Sequence, residues 1–251
     1  MTNPSIITYL GHATLLLEVN GKVFLTDPVF RTRLMHLKRT VPIFGPEVLP
    51  EIDVVLISHL HYDHLDFHSL EKLGKDRRLI IPKGAAPLLE RRGFTNLQEV
   101  TVGDIVDVDG VRVRATFADH KRSRRPMGPE ADCLGFVIEG QHSVYFPGDT
   151  RLFPGMAEIA ENLDVALLPV WGWGPDRGKL HLGPKEAAEA LLLLKPRIAI
   201  PIHWGTYIPI GLDRFRPGFH YFPPLEFAYH AKALAPQVEV RVLTPGDKIS
   251  V

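Results

Sequence analysis

A dense run of metal-binding side chains follows a short apolar segment about a quarter of the way along the chain. Within six residues the sequence places three histidines and one aspartate: His59, His61, Asp63 and His64. Zn²⁺ and similar divalent ions prefer imidazole and carboxylate ligands, and side chains two residues apart on an extended segment point the same way. His59 and His61 can therefore bind one ion. Asp63 and His64, which lie beyond a turn, can face a second one.

Three more side chains of these chemical types come directly after other predicted strands: His120, Asp149 and His203. Open α/β sheets place their binding sites at the carboxyl ends of their strands. Four separate loops are therefore predicted to supply one metal centre. A solvated loop that is rich in histidine by chance would account only for the first run.

Apolar and polar residues alternate in a pattern that predicts mixed β and α structure in both halves of the chain. Strands are predicted over 6–10, 14–19, 22–25, 52–57, 79–82, 134–139, 143–146, 164–170, 198–202 and 238–243. Further strands are predicted within 97–118, where Asp109-Gly110 forms a hairpin turn before a strand over 111–118. Helices are predicted over 67–73 with Asp66 as N-cap, and over 87–92, 153–162, 184–194 and 225–234. No low-complexity linker separates the halves, so we predict one domain over residues 1–251 with two similarly built halves.

Composition excludes several classes of protein. The 29 basic and 29 acidic residues balance, so nothing draws the whole chain toward nucleic acid or an anionic membrane. The single cysteine, Cys133, excludes a disulfide scaffold and a cysteine-rich zinc module. The sequence shows neither an apolar stretch long enough to span a bilayer nor an export signal, so a cytoplasmic location is expected.

The histidine and aspartate pattern closely resembles that of the metallo-β-lactamase-fold hydrolases. The resemblance rests on the run from His59 to His64, the later His120, Asp149 in a Gly-Asp-Thr turn, and the final His203. It implies an α+β fold, a four-layer αββα sandwich with a two-metal site between the sheets. By that resemblance the first metal would be bound by His59, His61 and His120, the second by Asp63, His64 and His203, and both by a bridging Asp149.

Three other segments narrow the resemblance to one branch of that superfamily. Residues 10–14, 25–30 and 181–187 resemble the N-acyl-phosphatidylethanolamine-hydrolysing phospholipase D and the ascorbate-lactonase-like proteins. The Asp27-Pro28 pair followed by a basic stretch favours the phospholipase side. The true β-lactamases are a poorer match, because Cys133 does not stand at a ligand position.

The implied chemistry is hydrolysis. Two divalent cations, Zn²⁺ with Mn²⁺ or Fe²⁺ as alternatives, would lower the pKa of a bridging water toward about 7 and so supply a hydroxide nucleophile. Asp63 would be both a ligand and the group that orients the nucleophile. His181 stands just before a predicted helix and would contact the scissile group or assist the leaving group, unless it is merely a cap or a surface residue.

Two more residues have alternative interpretations. His12 lies between two predicted strands and would either donate to a ligand carboxylate or contact the substrate. Asp27 would either orient a ligand histidine or fix a turn before Pro28.

Basic residues near the predicted site indicate the substrate. Arg124 and Arg125 follow His120, and a second basic stretch follows Asp27. Such runs are either solvated surface or clamps for a phosphate. A phosphodiester, such as a lipid head group, is the first prediction, and a small lactone or another ester is the alternative. A metal-binding scaffold without turnover is the third.

The segment over 30–50 mixes apolar and charged residues without a regular period. A loop of this length is commonly a lid, a dimer contact or a lipid-facing surface. A homodimer and a peripheral membrane contact are therefore both open alternatives.

Overall fold

The computed structural model describes residues 4–124, 128–159, 161–172 and 181–251, and within these ranges the strands form two seven-stranded sheets and one three-stranded sheet. The strands are β1 (Ile6–Gly11), β2 (Thr14–Val19), β3 (Lys22–Thr26), β4 (Arg33–Leu34), β5 (Leu37–Arg39), β6 (Val54–Leu56), β7 (Leu79–Pro82), β8 (Leu97–Val100), β9 (Ile105–Val108), β10 (Val111–Phe117), β11 (Leu134–Glu139), β12 (Ser143–Phe146), β13 (Val165–Pro169), β14 (Ile198–Ile202), β15 (Tyr207–Pro209), β16 (Glu239–Val240) and β17 (Lys248–Ser250). The α-helices are α1 (Phe67–Leu73), α2 (Ala86–Glu90), α3 (Pro184–Leu194), α4 (Leu212–Phe215) and α5 (Phe222–Leu234), and short 3₁₀-helices cover Pro46–Val48, Pro154–Glu158 and Phe219–Tyr221.

The two large sheets repeat one plan. The first has the strand order β17-β1-β2-β3-β6-β7-β8, and the second has the order β16-β14-β13-β12-β11-β10-β9. In the first sheet the strands from β17 to β3 pair antiparallel and those from β3 to β8 pair parallel. In the second sheet the strands from β9 to β12 pair antiparallel and those from β12 to β16 pair parallel. The prediction of two similarly built halves is confirmed.

Both faces of the first sheet are buried, which explains the nearly continuous apolar runs in its strands. Leu15 and Leu17 of β2 pack in the same apolar cluster as Phe136 of the second sheet. Leu16 points the other way and packs in a separate cluster with Leu70 of α1. Because alternate residues of a strand face opposite sides, this division places helices outside the paired sheets. The predicted α+β, four-layer αββα sandwich is confirmed.

Local signals explain where α1 and α3 begin and end. The side chain of Asp66 accepts a hydrogen bond from the backbone N–H of Ser69 at 3.1 Å and so caps α1, as predicted. Gly74 ends α1 with a φ of +106°, which a residue with a side chain rarely adopts. Pro184 opens α3, because a proline suits a first turn that needs no N–H donor.

Some predicted elements differ in the structure. The helix expected over 153–162 is only a 3₁₀-helix, Pro154–Glu158, because Gly155 in its first turn disfavours helix; residue 160 lies outside the described residues. Helix α5 begins at Phe222, earlier than predicted, with two prolines in its first turn. The last predicted strand shrinks to β16. The unpredicted β17 pairs with β1, a contact between the two ends of the chain that no local pattern reveals.

The segment over 30–50 is more regular than expected. It contains β4 and β5, and β5 pairs with β15 to form the three-stranded sheet. The guanidinium of Arg39 donates to the backbone oxygens of Leu10 at 3.1 Å and Val29 at 3.0 Å, and to the hydroxyl of Tyr207 at 3.1 Å. Arg39 therefore ties this segment to the body of the protein.

Within the described ranges, no helix combines the length and the apolar character needed to cross a membrane.

Candidate metal centre

The predicted ligands come from loops at one edge of each large sheet. The run from His59 to His64 follows β6, His120 follows β10, Asp149 follows β12 and His203 follows β14. In the second sheet, β10, β12 and β14 run in the same direction, so their carboxyl ends lie at the same edge. The structure brings all of these side chains together, in two groups with Asp149 beside both.

The first group consists of three histidines, His59, His61 and His120. Nδ1 of His61 lies 3.0 Å from Nε2 of His59 and 3.1 Å from Nε2 of His120. Three nitrogen donors at such separations can surround one small cation. They are the residues that the family resemblance implied for the first metal.

The second group contains Asp63, His64 and His203, together with His12. Oδ2 of Asp63 lies 3.7 Å from Nε2 of His64 and 3.6 Å from Nε2 of His203. These three residues are the ones that the resemblance implied for the second metal. His12 was an ambiguous candidate, and the structure places its Nε2 3.2 Å from Oδ2 of Asp63.

Asp149 lies between the two groups with only 2% of its side chain exposed. Its Oδ2 is 3.3 Å from Nε2 of His64 and 3.9 Å from Nε2 of His120. Its Oδ1 is 3.3 Å from Nε2 of His203. One carboxylate thus faces donors of both groups, as a bridging ligand would.

A close backbone approach brings Asp149 to this position. The preceding Gly148 has a φ of +60° and packs against Ser58, so closely that a Cβ there would lie 2.5 Å from Cβ of Ser58. Glycine is therefore required in this turn, both for its conformation and for the space.

Asp27 orients the histidine loop, which is the run from His59 to His64. Its carboxylate accepts hydrogen bonds from the Ser58 N–H at 2.8 Å, from the Ser58 hydroxyl at 2.5 Å and from Nδ1 of His64 at 2.7 Å. Oγ of Ser58 in turn lies 2.9 Å from Nδ1 of His59. Because Nδ1 of His59 and Nδ1 of His64 each have a hydrogen-bond partner, the Nε2 atom of each ring faces the site. Of the two alternatives for Asp27, the structure shows the orienting role.

Two backbone carbonyls complete this outer layer of contacts. The oxygen of Trp171 lies 2.7 Å from Nδ1 of His203, and that of Ser123 lies 3.1 Å from Nε2 of His61. Sequence reasoning missed both, because a carbonyl contact requires no particular residue type. It also missed Ser58, whose position directly before the histidine run was the available signal.

The electrostatics of the site favour a bound cation. Burial lowers the pKa of His59 well below its usual value, so its imidazole is neutral. Burial raises the pKa of Asp149, but His203, His64 and His181 lower it more, and it lies well below its usual value. Neutral imidazole and ionised carboxylate are the forms that bind metals.

The fit to a metal also shows in the hydrogen bonding. Among the described residues, the buried atoms Nε2 of His64 and Oδ1 of Asp149 have no hydrogen-bond partner. Burial lowers the pKa of His64, but the carboxylates of Asp149, Asp63 and Asp27 raise it well above its usual value. Buried negative charge is costly unless a positive charge compensates it, and a divalent cation would supply that positive charge.

His181 lies at the same site. Its Nε2 is 3.2 Å from Oδ2 of Asp149, and its side chain is 18% exposed. Gly172 makes room for it, since a Cβ there would lie 2.4 Å from Nδ1 of His181. The structure therefore places the predicted catalytic histidine beside the donor groups and within reach of solvent.

Arg124 occupies a different place from the one expected for a substrate clamp. Its guanidinium donates to the backbone oxygens of Leu60 and Leu65, the latter at 3.1 Å, and lies 4.3 Å from the centre of the Tyr62 ring. The residue thus supports the histidine loop, and a contact with substrate stays a prediction. Arg125 lies outside the described residues.

Comparison with known proteins agrees with this geometry. The profile of the family described as "Beta-lactamase superfamily domain" matches residues 22–204. A UPF0173 metal-dependent hydrolase of Methanopyrus kandleri is 32% identical over 248 residues, which cover 96% of this chain and 97% of the relative.

Two further similarities extend the comparison. The N-acyl-phosphatidylethanolamine-hydrolyzing phospholipase D 1 of Caenorhabditis elegans is 28% identical over 235 residues, which cover 83% of this chain and 65% of the relative. The solved structure of a metallo hydrolase from Ignicoccus hospitalis superposes with a TM-score of 0.76 at 26% identity, over 99% of each chain. The chain therefore belongs to the metallo-β-lactamase superfamily, and it is a metal-dependent hydrolase.

Proposed function

We propose that the protein is a two-cation phosphodiesterase of the phospholipase D type, acting on an anionic substrate. The observation that carries the proposal is the position of Asp149, a buried carboxylate that faces His64 and His203 of the second group and, through Oδ2, also His120 of the first group. A single-metal enzyme needs only one of these groups. Zn²⁺ is the cation that we expect, because tetrahedral imidazole and carboxylate donors suit it, with Mn²⁺ and Fe²⁺ as alternatives.

The roles of the side chains follow from their positions. Two divalent cations, held by the two groups of donors, would supply an activated water as the nucleophile and would polarise the oxygen under attack. Asp149 holds the two donor groups at a common centre. Asp63, 20% exposed on the open side, combines cation binding with orientation of the nucleophile.

His181 is suited to hold the proton that the leaving group needs. Burial lowers its pKa, but the hydrogen bond to Asp149 raises it more, and it lies above its usual value. The protonated imidazole beside Asp149 can donate a proton to the departing oxygen.

Replacing His181 with alanine should leave two cations bound and lower turnover by about 10² to 10⁴-fold, the usual contribution of a general acid. Cation content after gel filtration and kcat with bis-nitrophenyl phosphate are the two measurements. His142→Ala is the matched control, because His142 instead contacts Ser5. Unchanged kcat in His181→Ala would remove the proposed role.

An anionic substrate is supported by a cavity of about 550 Å³ beside the histidine loop. Its apolar and aromatic surface includes Tyr62 and Phe67. Four basic side chains also line it: Arg31, Arg91, Arg92 and Arg124. Arg31 pairs with Asp66 at 3.1 Å, so part of this charge is already balanced. The remaining charge suits a phosphate that carries an apolar group.

The double substitution Arg91→Glu and Arg92→Glu tests the substrate class. We expect kcat/KM for N-acyl-phosphatidylethanolamine to fall by about tenfold or more, the equivalent of one lost charge-assisted hydrogen bond. Hydrolysis of a neutral lactone should change little. The double substitution Lys232→Glu and Lys248→Glu, at exposed positions of α5 and β17, changes the net charge by the same amount and is the control.

A panel of substrates decides between the alternatives. Turnover of bis-nitrophenyl phosphate and the phospholipid without turnover of lactones or lactams supports the proposal. Faster turnover of lactones, with equal effects of the double substitution on both classes, favours the lactonase or esterase. Bound metal without turnover of any substrate favours a non-catalytic scaffold.

A further inference from the structure

One buried histidine at the centre is not among the residues assigned above to either cation. His12 has no exposed surface, and its ring centre lies 4.0 Å from that of His203. Its Nε2 and Oδ2 of Asp63 are 3.2 Å apart in hydrogen-bond geometry.

The backbone holds His12 in place from two sides. Its N–H donates to Oγ1 of Thr206 at 2.6 Å, and its carbonyl accepts from the N–H of His203 at 2.9 Å. Its φ is +59°, a left-handed conformation that persists in a non-glycine residue only where surrounding contacts enforce it. The turn between β1 and β2 is thereby fastened to the loop that carries His203.

The direction of the hydrogen bond follows from the partners. An ionised carboxylate can only accept, so Nε2 of His12 must carry the proton and donate it to Oδ2 of Asp63. A nitrogen that carries this proton has no lone pair left for a cation. His12 is therefore placed to act on Asp63 and not to serve as a ligand through the same atom.

We propose that His12 is a positioning residue whose Nε2–H holds the Asp63 carboxylate in the orientation that the second cation site requires. The proposal rests on the two-cation site of the proposed function. Partners of this kind, which hydrogen-bond a metal ligand, typically contribute 10 to 100-fold to metal affinity. Replacing His12 should lower the affinity for the second cation only, because the first group of donors does not include Asp63.

Metal titration of the 251-residue chain tests the proposal. After treatment with a chelator, Zn²⁺ is added back to wild type, His12→Ala and His12→Gln, with calorimetry as the readout. In His12→Ala the second equivalent should bind about 10 to 100-fold more weakly while the first is unchanged. His12→Gln should restore binding to within about threefold, because the glutamine amide can reach Asp63 with an N–H donor.

The controls separate this role from others. His220→Ala removes a buried histidine outside the donor groups and should leave both binding steps unchanged. Binding of both equivalents by His12→Ala as in wild type would overturn the proposal. If His12→Gln is as weak as His12→Ala, His12 is itself a ligand, and the positioning role is equally overturned.

A double-mutant cycle measures the same hydrogen bond in the absence of metal. Tm is determined for each variant in the presence of a chelator. His12→Ala should lower Tm in the wild-type background, and by less than about half as much when Asp63 is already alanine, because residues in contact are not additive. Additive shifts would refute the contact between His12 and Asp63. A wild-type protein that binds a single cation would instead refute the two-cation function, while the cycle would still decide the contact.

Discussion

Replacing Asp149 with asparagine is expected to abolish stable binding of both cations and, with it, turnover. The substitution keeps the shape of the side chain but removes the charge that faces His64 and His203 of the second group and His120 of the first group. A directly coordinating residue should matter more than a hydrogen-bonded partner of a ligand, so we expect more than a 100-fold loss of affinity. Metal content after gel filtration and kcat with bis-nitrophenyl phosphate are the measurements.

A partly exposed aspartate outside the site provides the comparison for Asp149. Asp164 accepts a hydrogen bond from the N–H of Ser143 at 2.9 Å and pairs with Arg197, but it belongs to neither group of donors. Asp164→Asn should retain both cations and normal turnover. If Asp149→Asn retained one cation with unchanged affinity, Asp149 would not be shared between the two groups.

Replacing Asp27 with alanine should weaken both the fold and the second cation site, although Asp27 is not among the assigned ligands. The change leaves three buried donors, two on Ser58 and one on His64, without their acceptor. Each such loss costs about 1–3 kcal/mol, so we expect the free energy of unfolding to fall by at least about 3 kcal/mol. Urea denaturation in the presence of a chelator measures this loss.

The same variant has a second expected effect. Without Asp27, Nδ1 of His64 no longer holds the ring in place, so affinity for the second cation should fall by about 10 to 100-fold. Asp53→Ala is the matched control. Asp53 also accepts a backbone N–H, that of Val23 at 2.8 Å, but its side chain is 34% exposed. Equal losses of stability in the two variants would contradict the role assigned to Asp27.

The candidate ligands could be predicted from the sequence because each one follows a strand, and the apolar residues of that strand predict it. The run from His59 to His64 comes after β6, and His203 comes after β14. Such local patterns reveal both the side chain and the strand end that carries it. They do not reveal which carbonyl will meet the far nitrogen of each imidazole.

The contacts of the basic residues, in contrast, could not be predicted from the sequence. Arg124 and the basic stretch after Asp27, to which Arg39 belongs, look alike in the sequence as candidates for binding phosphate. In the folded protein both guanidinium groups bind backbone carbonyls, Arg39 at Leu10 and Val29, and Arg124 at Leu60 and Leu65. Which backbone carbonyl accepts a hydrogen bond from an arginine depends on the folded positions of the loops, and the sequence does not show it.

The sequence by itself determined the family, the αββα sandwich and the histidines and aspartates that can bind metal, because apolar periodicity and ligand chemistry are local properties. Only the tertiary structure decided how they are grouped. It placed Asp149 between the two groups of donors, directed Asp27 to His64, and set His12 against Asp63. These contacts join loops of different strands, and their distances depend on how the two sheets pack face to face.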